Sequence, residues 1–184
     1  METAPTHAFA YAACYCEENV HLLARDPRVG APVEERRALF VTNRARSVAV
    51  WSQRAGDPVV WDYHVVLLAR SGPGGRWEAW DLDTTLGLPV PLERWLGGSF
   101  RPGTPERLAP RLRLVSAAEY LARFSSDRSH MLDGRGRPRA PRPPWPPIWQ
   151  EREGMNLLRF VDLERPFVGA VLGLDELASA LEAR

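Results

Sequence analysis

A chain of 184 residues, 45% hydrophobic and 26% charged, has the length of one domain and the composition of an ordinary soluble globular protein. Its formal net charge of +1 supplies no field to draw in nucleic acid or an anionic membrane, so neither is expected as a partner. All 24 basic residues are arginine, which excludes a phosphate loop built on Gly-Lys and a lysine Schiff base.

The two cysteines, Cys14 and Cys16, are too close in sequence for an unstrained disulfide, and a reducing compartment is the expectation. Residues 1–10 read as a flexible arm without the basic, apolar and small-residue pattern of a signal peptide. No apolar run nears the ~20 residues that span a bilayer. A cytoplasmic protein acting as a monomer is expected.

In chain order, Val20, Leu23 and Ala24 follow helical spacing, with Glu17 and Glu18 early and Arg25 late, as the helix dipole prefers. Asp26-Pro27 ends that helix. Cys16 therefore stands at a helix start, where backbone N–H groups favour a thiolate. Glu17 and Glu18 oppose that effect, so a cationic partner would have to supply most of the activation. Ala38–Val41 and Ser47–Trp51 read as short strands about a polar turn. Val59–Leu68 is the clearest strand, its later half apolar enough to be buried on both faces. Ser71-Gly72-Pro73-Gly74-Gly75 is a turn, and Trp77–Asp83 the returning strand. With Arg70 opposite Arg76, His64 faces Leu82 and is flanked by Asp81 and Asp83. A one-residue adjustment puts Asp81 directly opposite, at the ~4.5–5.5 Å Cβ separation of cross-strand neighbours. The register decides which carboxylate His64 meets.

Leu92–Leu96 reads as a short helix, Gly97–Pro110 as a loop and Arg111–Val115 as an alternating, exposed strand. Ser116–Phe124 is a helix with Ser116 as N-cap and Glu119 completing a capping box. Residues 134–149 form a non-regular loop within the domain, with six prolines between Gly134 and Pro147. This run suits either a polyproline ligand or, more simply, a loop laid over the domain and anchored by Trp145 and Trp149. Asn156–Val161 reads as a short helix, Val168–Leu172 as a last strand and Asp175–Leu181 as a last helix capped by Asp175.

Each candidate residue has a plain reading as well. A lone cysteine is usually a small buried hydrophobe, a histidine in an apolar strand a satisfied core residue, and a carboxylate after Trp80 the start of a turn. Together, a thiol at a helix start, a histidine on a core strand and an acid on its neighbour make the plan of a cysteine hydrolase. No Cys-x-x-Cys or His-x-x-x-His pair is present, so no metal site is expected.

Cys14-Tyr15-Cys16-Glu17-Glu18-Asn19, Trp61-Asp62-Tyr63-His64-Val65-Val66-Leu67-Leu68, Asp81-Leu82-Asp83-Thr84 and Ser126-Asp127-Arg128-Ser129-His130-Met131 resemble blocks of the protein N-terminal glutamine amidohydrolase family. The Pro-rich run and Met155-Asn156-Leu157 match it too, and the order of the blocks is the family's. The segment Gly97–Pro110 diverges and lies outside these motifs. The resemblance implies a single catalytic α/β (α+β) domain over residues 1–184, with a mainly antiparallel sheet, helices packed around it, and a likeness to papain-like and transglutaminase-like cysteine hydrolases. It implies deamidation of the N-terminal Gln of proteins or peptides to Glu, with release of ammonia and no cofactor. In eukaryotes the product Glu can be arginylated, which marks the protein for degradation. The resemblance assigns Cys16 as nucleophile, His64 as base and, of the two carboxylates the hairpin leaves open, Asp81 as its partner. A γ-glutamyl thioester on Cys16 would be the intermediate. Recognition of the substrate α-ammonium requires an acceptor, because burying it unpaired costs several kcal/mol. Glu17, Asp62 and Asp127 are the candidates. The alternatives are a thiol hydrolase of internal amides and a non-catalytic binder of protein N-termini.

Overall fold

Two runs of apolar residues form the centre of a six-stranded sheet, antiparallel at every pairing. Its order is β6 (Val90–Pro91), β5 (Trp77–Trp80), β4 (His64–Arg70), β1 (Arg36–Thr42), β7 (Arg111–Ser116) and β8 (Ala170–Leu172). A separate ribbon pairs β2 (Val48–Val50) with β3 (Val59–Trp61). The computed structural model describes residues 8–70, 72 and 74–182. The expected arm falls largely on residues 1–7, outside the described residues, as do Ser71 and Pro73 of the expected turn. From Ala8 onward the chain lies against the body. Arg28 donates to the Ala8 carbonyl at 2.6 Å and sits 4.4 Å from the centre of the Phe9 ring, which stands edge-on to Trp80.

The sheet is covered on both faces, which makes a single α+β domain of three layers. On one face Val65, Leu67, Ala38 and Phe40 pack against α1 (Cys16–Leu23), α3 (Ala117–Arg123) and α4 (Leu157–Val161). On the other, Val66, Leu68, Leu39 and Val41 pack against α2 (Leu92–Ser99), α5 (Leu177–Glu182) and the ribbon. Strand alternation accounts for this division. Each fully buried Val, Leu or Phe among them contributes about 1.5–3 kcal/mol. Among the described residues, no helix is long and apolar enough to cross a membrane.

Several elements depart from the sequence expectation. The run Val59–Leu68 is broken at Asp62-Tyr63, because β3 pairs with β2 while β4 pairs with β1 and β5. The break is held by Thr42 donating to the Asp62 carbonyl at 2.7 Å and by the Asp62 carboxylate accepting the Tyr63 N–H at 3.0 Å. Arg70 pairs with Trp77 rather than Arg76, and β5 ends at Trp80, so Asp81–Asp83 lie in a turn. The expected exposed alternation of 111–115 is wrong: Leu112 to Val115 are buried, Arg113 included. The Arg113 guanidinium satisfies the carbonyls of Phe160, Val168 and Asp162 at 2.9, 2.9 and 2.5 Å, which lets a cation lie inside the domain. Helix α2 runs past Leu96 to Ser99 despite two glycines, and the Leu86 side chain explains one of them. A Cβ on Gly98 would approach Leu86 Cδ1 to 2.6 Å. Ser116 caps α3 as expected, accepting the Glu119 N–H at 3.2 Å. Of the two expected anchors of the Pro-rich loop only Trp145 serves. Trp149 is exposed, and the Ile148 carbonyl holds the loop instead by accepting the Ser126 N–H at 2.7 Å.

Candidate active site

Cys16 is the first residue of α1, and three contacts set its position. The Asn19 amide reaches back to Ala12, donating to its carbonyl and accepting its N–H, both at 2.9 Å. Tyr120 donates to the Glu17 carbonyl at 2.7 Å, tying α1 to α3. Cys14 takes a left-handed φ of 68°, which turns the chain into the helix, and its own thiol is exposed. The half-buried Cys16 thiol lines a cleft of about 560 Å³ whose wall includes Cys14, Trp61, Asp62, Tyr63, His64 and Asp83.

His64 opens β4 and is buried, with the Trp61 ring stacked on it at a centroid distance of 6.0 Å. Its Nε2 lies 2.9 Å from Asp81 Oδ1. Asp81 reaches it from the turn after β5, not from a cross-strand position. Its Oδ1 also accepts the Asp83 N–H at 3.0 Å, and its Oδ2 accepts Gln53 Nε2 at 3.1 Å and Trp95 Nε1 at 3.0 Å. Four donors hold one buried carboxylate.

The electrostatics follow from this geometry. Burial works against protonation of His64, but the Asp81 charge and hydrogen bond outweigh it, with Asp83 adding, so the imidazole is raised above its ordinary 6.5. Burial works against the Asp81 anion, but the His64 charge and the bonds from His64, Trp95 and Gln53 overcome it and hold the carboxyl below its ordinary 3.8. Burial pushes the Cys16 thiol well up, and the charges of Glu17 and Asp83 push it further. A hydrogen bond from the Val65 backbone acts in the opposite sense. The opposition expected from Glu17 is therefore present. Glu18 is instead turned away and claimed by Arg128, at 2.7 Å to each oxygen.

The three candidates for the substrate ammonium lie in different settings. Asp62 is exposed on the cleft wall. Glu17 is buried behind that wall, its Oε2 accepting the Tyr63 hydroxyl at 3.1 Å and its Oε1 lying 3.3 Å from His130 Nε2. Asp127 is exposed, accepts the Ser129 N–H at 2.8 Å and is not part of the cleft lining. Sequence reasoning missed Gln53 and Trp95 as donors to Asp81, and Asn19 as the brace of the thiol's loop. The quoted Cys-Tyr-Cys-Glu-Glu-Asn block contained Asn19, but no local pattern links Gln53 or Trp95 to Asp81.

His64, Asp81 and Asp83 bring potential ligand atoms within 4.8 Å of one another, the one such group among the described residues. Asp81 already accepts four donors and Asp83 Oδ1 accepts the Tyr11 hydroxyl at 2.6 Å, so hydrogen bonds engage these carboxylate oxygens.

The family model described as N-terminal glutamine amidase matches residues 11–181, a span that contains the whole cleft. The chain belongs to the N-terminal glutamine amidase family. A Bos taurus protein named protein N-terminal glutamine amidohydrolase is 40% identical over 94% of this chain and 86% of its own length. A Homo sapiens protein of the same name is 39% identical over 94% of this chain and 87% of its length. A Danio rerio protein, also of that name, is 38% identical over 86% of this chain and 81% of its length. N-terminal glutamine amidases are hydrolases of an amide bond, and in this chain a thiol and an imidazole line one cleft, with the Asp81 carboxylate buried against the imidazole.

Proposed function

We propose that this chain hydrolyses the side-chain amide of an N-terminal glutamine, leaving N-terminal glutamate and ammonia, with Cys16, His64 and Asp81 as a catalytic triad. The observation that carries the reading is the buried His64, paired with Asp81 and lining the same cleft as Cys16, in a chain similar over most of its length to amidohydrolases named for this substrate.

His64 takes the Cys16 proton and Asp81 stabilises the imidazolium and its orientation. The thiolate attacks the Gln side-chain carbonyl, forming a C–S bond. The first backbone N–H groups of α1 have no partner within the helix and are available to the oxyanion. On collapse the C–N bond breaks and His64 gives its proton to the departing ammonia. Water, deprotonated by His64, then attacks the γ-glutamyl thioester. The C–S bond breaks, glutamate leaves and the proton returns to Cys16.

For the substrate α-ammonium, Asp62 has the best support of the three acids, being an exposed carboxylate on the cleft wall. Glu17 would act from behind Tyr63, and Asp127 would have to reach in from outside the lining. The two free thiols suit a reducing, cytoplasmic compartment.

The test is ammonia release from a Gln-initiated peptide by wild type and Cys16→Ala, with Asn-initiated and acetyl-Gln peptides as controls. Release from free N-terminal Gln alone, abolished in the variant, is expected. Equal turnover of acetyl-Gln would instead favour a hydrolase of internal amides. No release by folded protein would favour a binder of N-termini.

A further inference from the structure

The catalytic cleft does not end at the triad. Its lining continues to Arg46 and Leu158, and both residues also line a second groove of about 500 Å³. Leu158 is shared again with a third, of about 300 Å³, that contains Pro166 and Phe167. Leu158 is 50% exposed, whereas Leu157, Phe160 and Val161 of the same short helix are buried. One large apolar side chain thus faces outward where three concavities meet.

Arg46 stands beside it with a free charge. Around it the cations are engaged: Arg44 pairs with Glu164 at 3.1 Å, Arg165 with Asp162 at 3.6 Å, and Arg159 lies 4.0 Å from the centre of the Phe167 ring. The exposed Arg46 side chain makes no hydrogen bond or ion pair among the described residues. Its backbone is nevertheless held in place. Arg46 has a left-handed φ of 51° and donates its N–H to the Asn43 carbonyl at 3.0 Å. The buried Asn43 amide in turn binds the carbonyls of Ser47, Arg107 and Ala109 at 2.7, 3.0 and 3.1 Å. A cation presented on a braced turn and left unpaired selects for negative charge in whatever passes it.

We propose that the polypeptide behind the N-terminal Gln leaves the cleft between Arg46 and Leu158 and lies as an extended segment in the adjoining groove, where an acidic side chain pairs with Arg46. The inference rests on the proposed N-terminal Gln substrate. What commits it to the substrate's own chain is continuity: a protein N-terminus seated at Cys16 must carry its following residues out of the cleft, and this groove shares two wall residues with it. Another concavity meets the cleft on a different side, at Met131; it is smaller, about 160 Å³, and includes Pro138 and Pro147 of the Pro-rich loop.

The test measures kcat/KM for Gln-Gly and for Gln-initiated peptides of up to six residues, with Glu or Arg scanned through positions two to five. Wild type should gain at least tenfold from dipeptide to hexapeptide and prefer Glu over Arg about fivefold at one position. Leu158→Asp should bring the length ratio close to one. Arg46→Glu should reverse the charge preference at that position, a result that loss of structure would not produce. A wild-type length ratio near one, or a charge preference unchanged in Arg46→Glu, would overturn the proposal while leaving the N-terminal Gln reading intact. A length ratio lost in Met131→Asp and kept in Leu158→Asp would move the exit to the other side and overturn it likewise. If neither Gln-Gly nor any longer Gln-initiated peptide releases ammonia, the underlying reading falls with it.

Discussion

At the scale of single residues, the roles proposed for His64 as general base and Asp81 as its partner predict how activity should vary with pH. Asp81 raises the His64 imidazole above its ordinary value, and a general base must be neutral to accept a proton. The acid limb of kcat/KM should therefore lie above pH 6.5. Asp81→Asn removes the charge that raises His64, so the limb should move to lower pH while kcat falls by a factor on the order of 10³–10⁴. A pH–rate profile of both proteins checks this, and an unmoved limb would mean that His64 is not the titrating base. The pair also has a stability signature. The contribution from raised His64 is complete below pH 6.5 and fades as pH rises through the folded value, and that from lowered Asp81 is complete above 3.8 and fades as pH falls.

At the scale of the element, α1 carries a second histidine with the opposite behaviour. His21 is buried against the rings of Tyr120 and Phe124, with Arg25 3.4 Å from its Nε2. Burial, and then the Arg25 charge, push it down to about 4 from 6.5. Between those values the unfolded chain binds more protons than the folded one, so stability falls as pH falls. The loss by pH 4.5 is about 2–3 kcal/mol from this residue. Urea midpoints at pH 7 and 4.5 should fall further apart in wild type than in His21→Gln, whose amide does not titrate. The helix that presents the thiol is thus also the one that acid loosens.

At the scale of the whole molecule, the Pro-rich loop is joined to α1 by a buried ion pair. Arg128 binds both Glu18 oxygens at 2.7 Å, Trp145 Nε1 donates to Glu18 Oε2 at 2.7 Å, and Arg128 donates to the Trp145 carbonyl at 2.9 Å. Removing one partner leaves a buried charge unpaired, at a cost of about 3–5 kcal/mol. Arg128→Met should lose that much stability in a urea titration. It should also speed tryptic cleavage after Arg135 and Arg139, because the loop loses the Arg128 bond to the Trp145 carbonyl and keeps only the Trp145 Nε1 bond to Glu18 there. An unchanged cleavage rate would mean that the Ile148 and Gln150 contacts with Ser125 and Ser126 suffice to hold the loop.

The local features were legible because their causes are local. Helical spacing and a cluster of acids mark α1 and set Cys16 at its start, Ser116 reads directly as the cap of α3, and the β-branched run of β4 reads as a strand buried on both faces. The motif blocks named Cys16, His64 and Asp81 by resemblance, and the family followed from the chain's similarity along residues 11–181. What the sequence left open was which partners meet. The interruption at Asp62 depends on two strands of one run choosing different neighbours, and the burial of Arg113 depends on carbonyls some fifty residues away. Hairpin register left Asp81 and Asp83 equivalent, and the observed pairing by itself points His64 toward Asp83. Tertiary structure decides for Asp81, because Gln53 from a loop and Trp95 from α2 converge on its carboxylate and aim it at the imidazole. Periodicity and capping are carried by neighbours along the chain. The aim of a buried side chain is set by donors that only folding brings together.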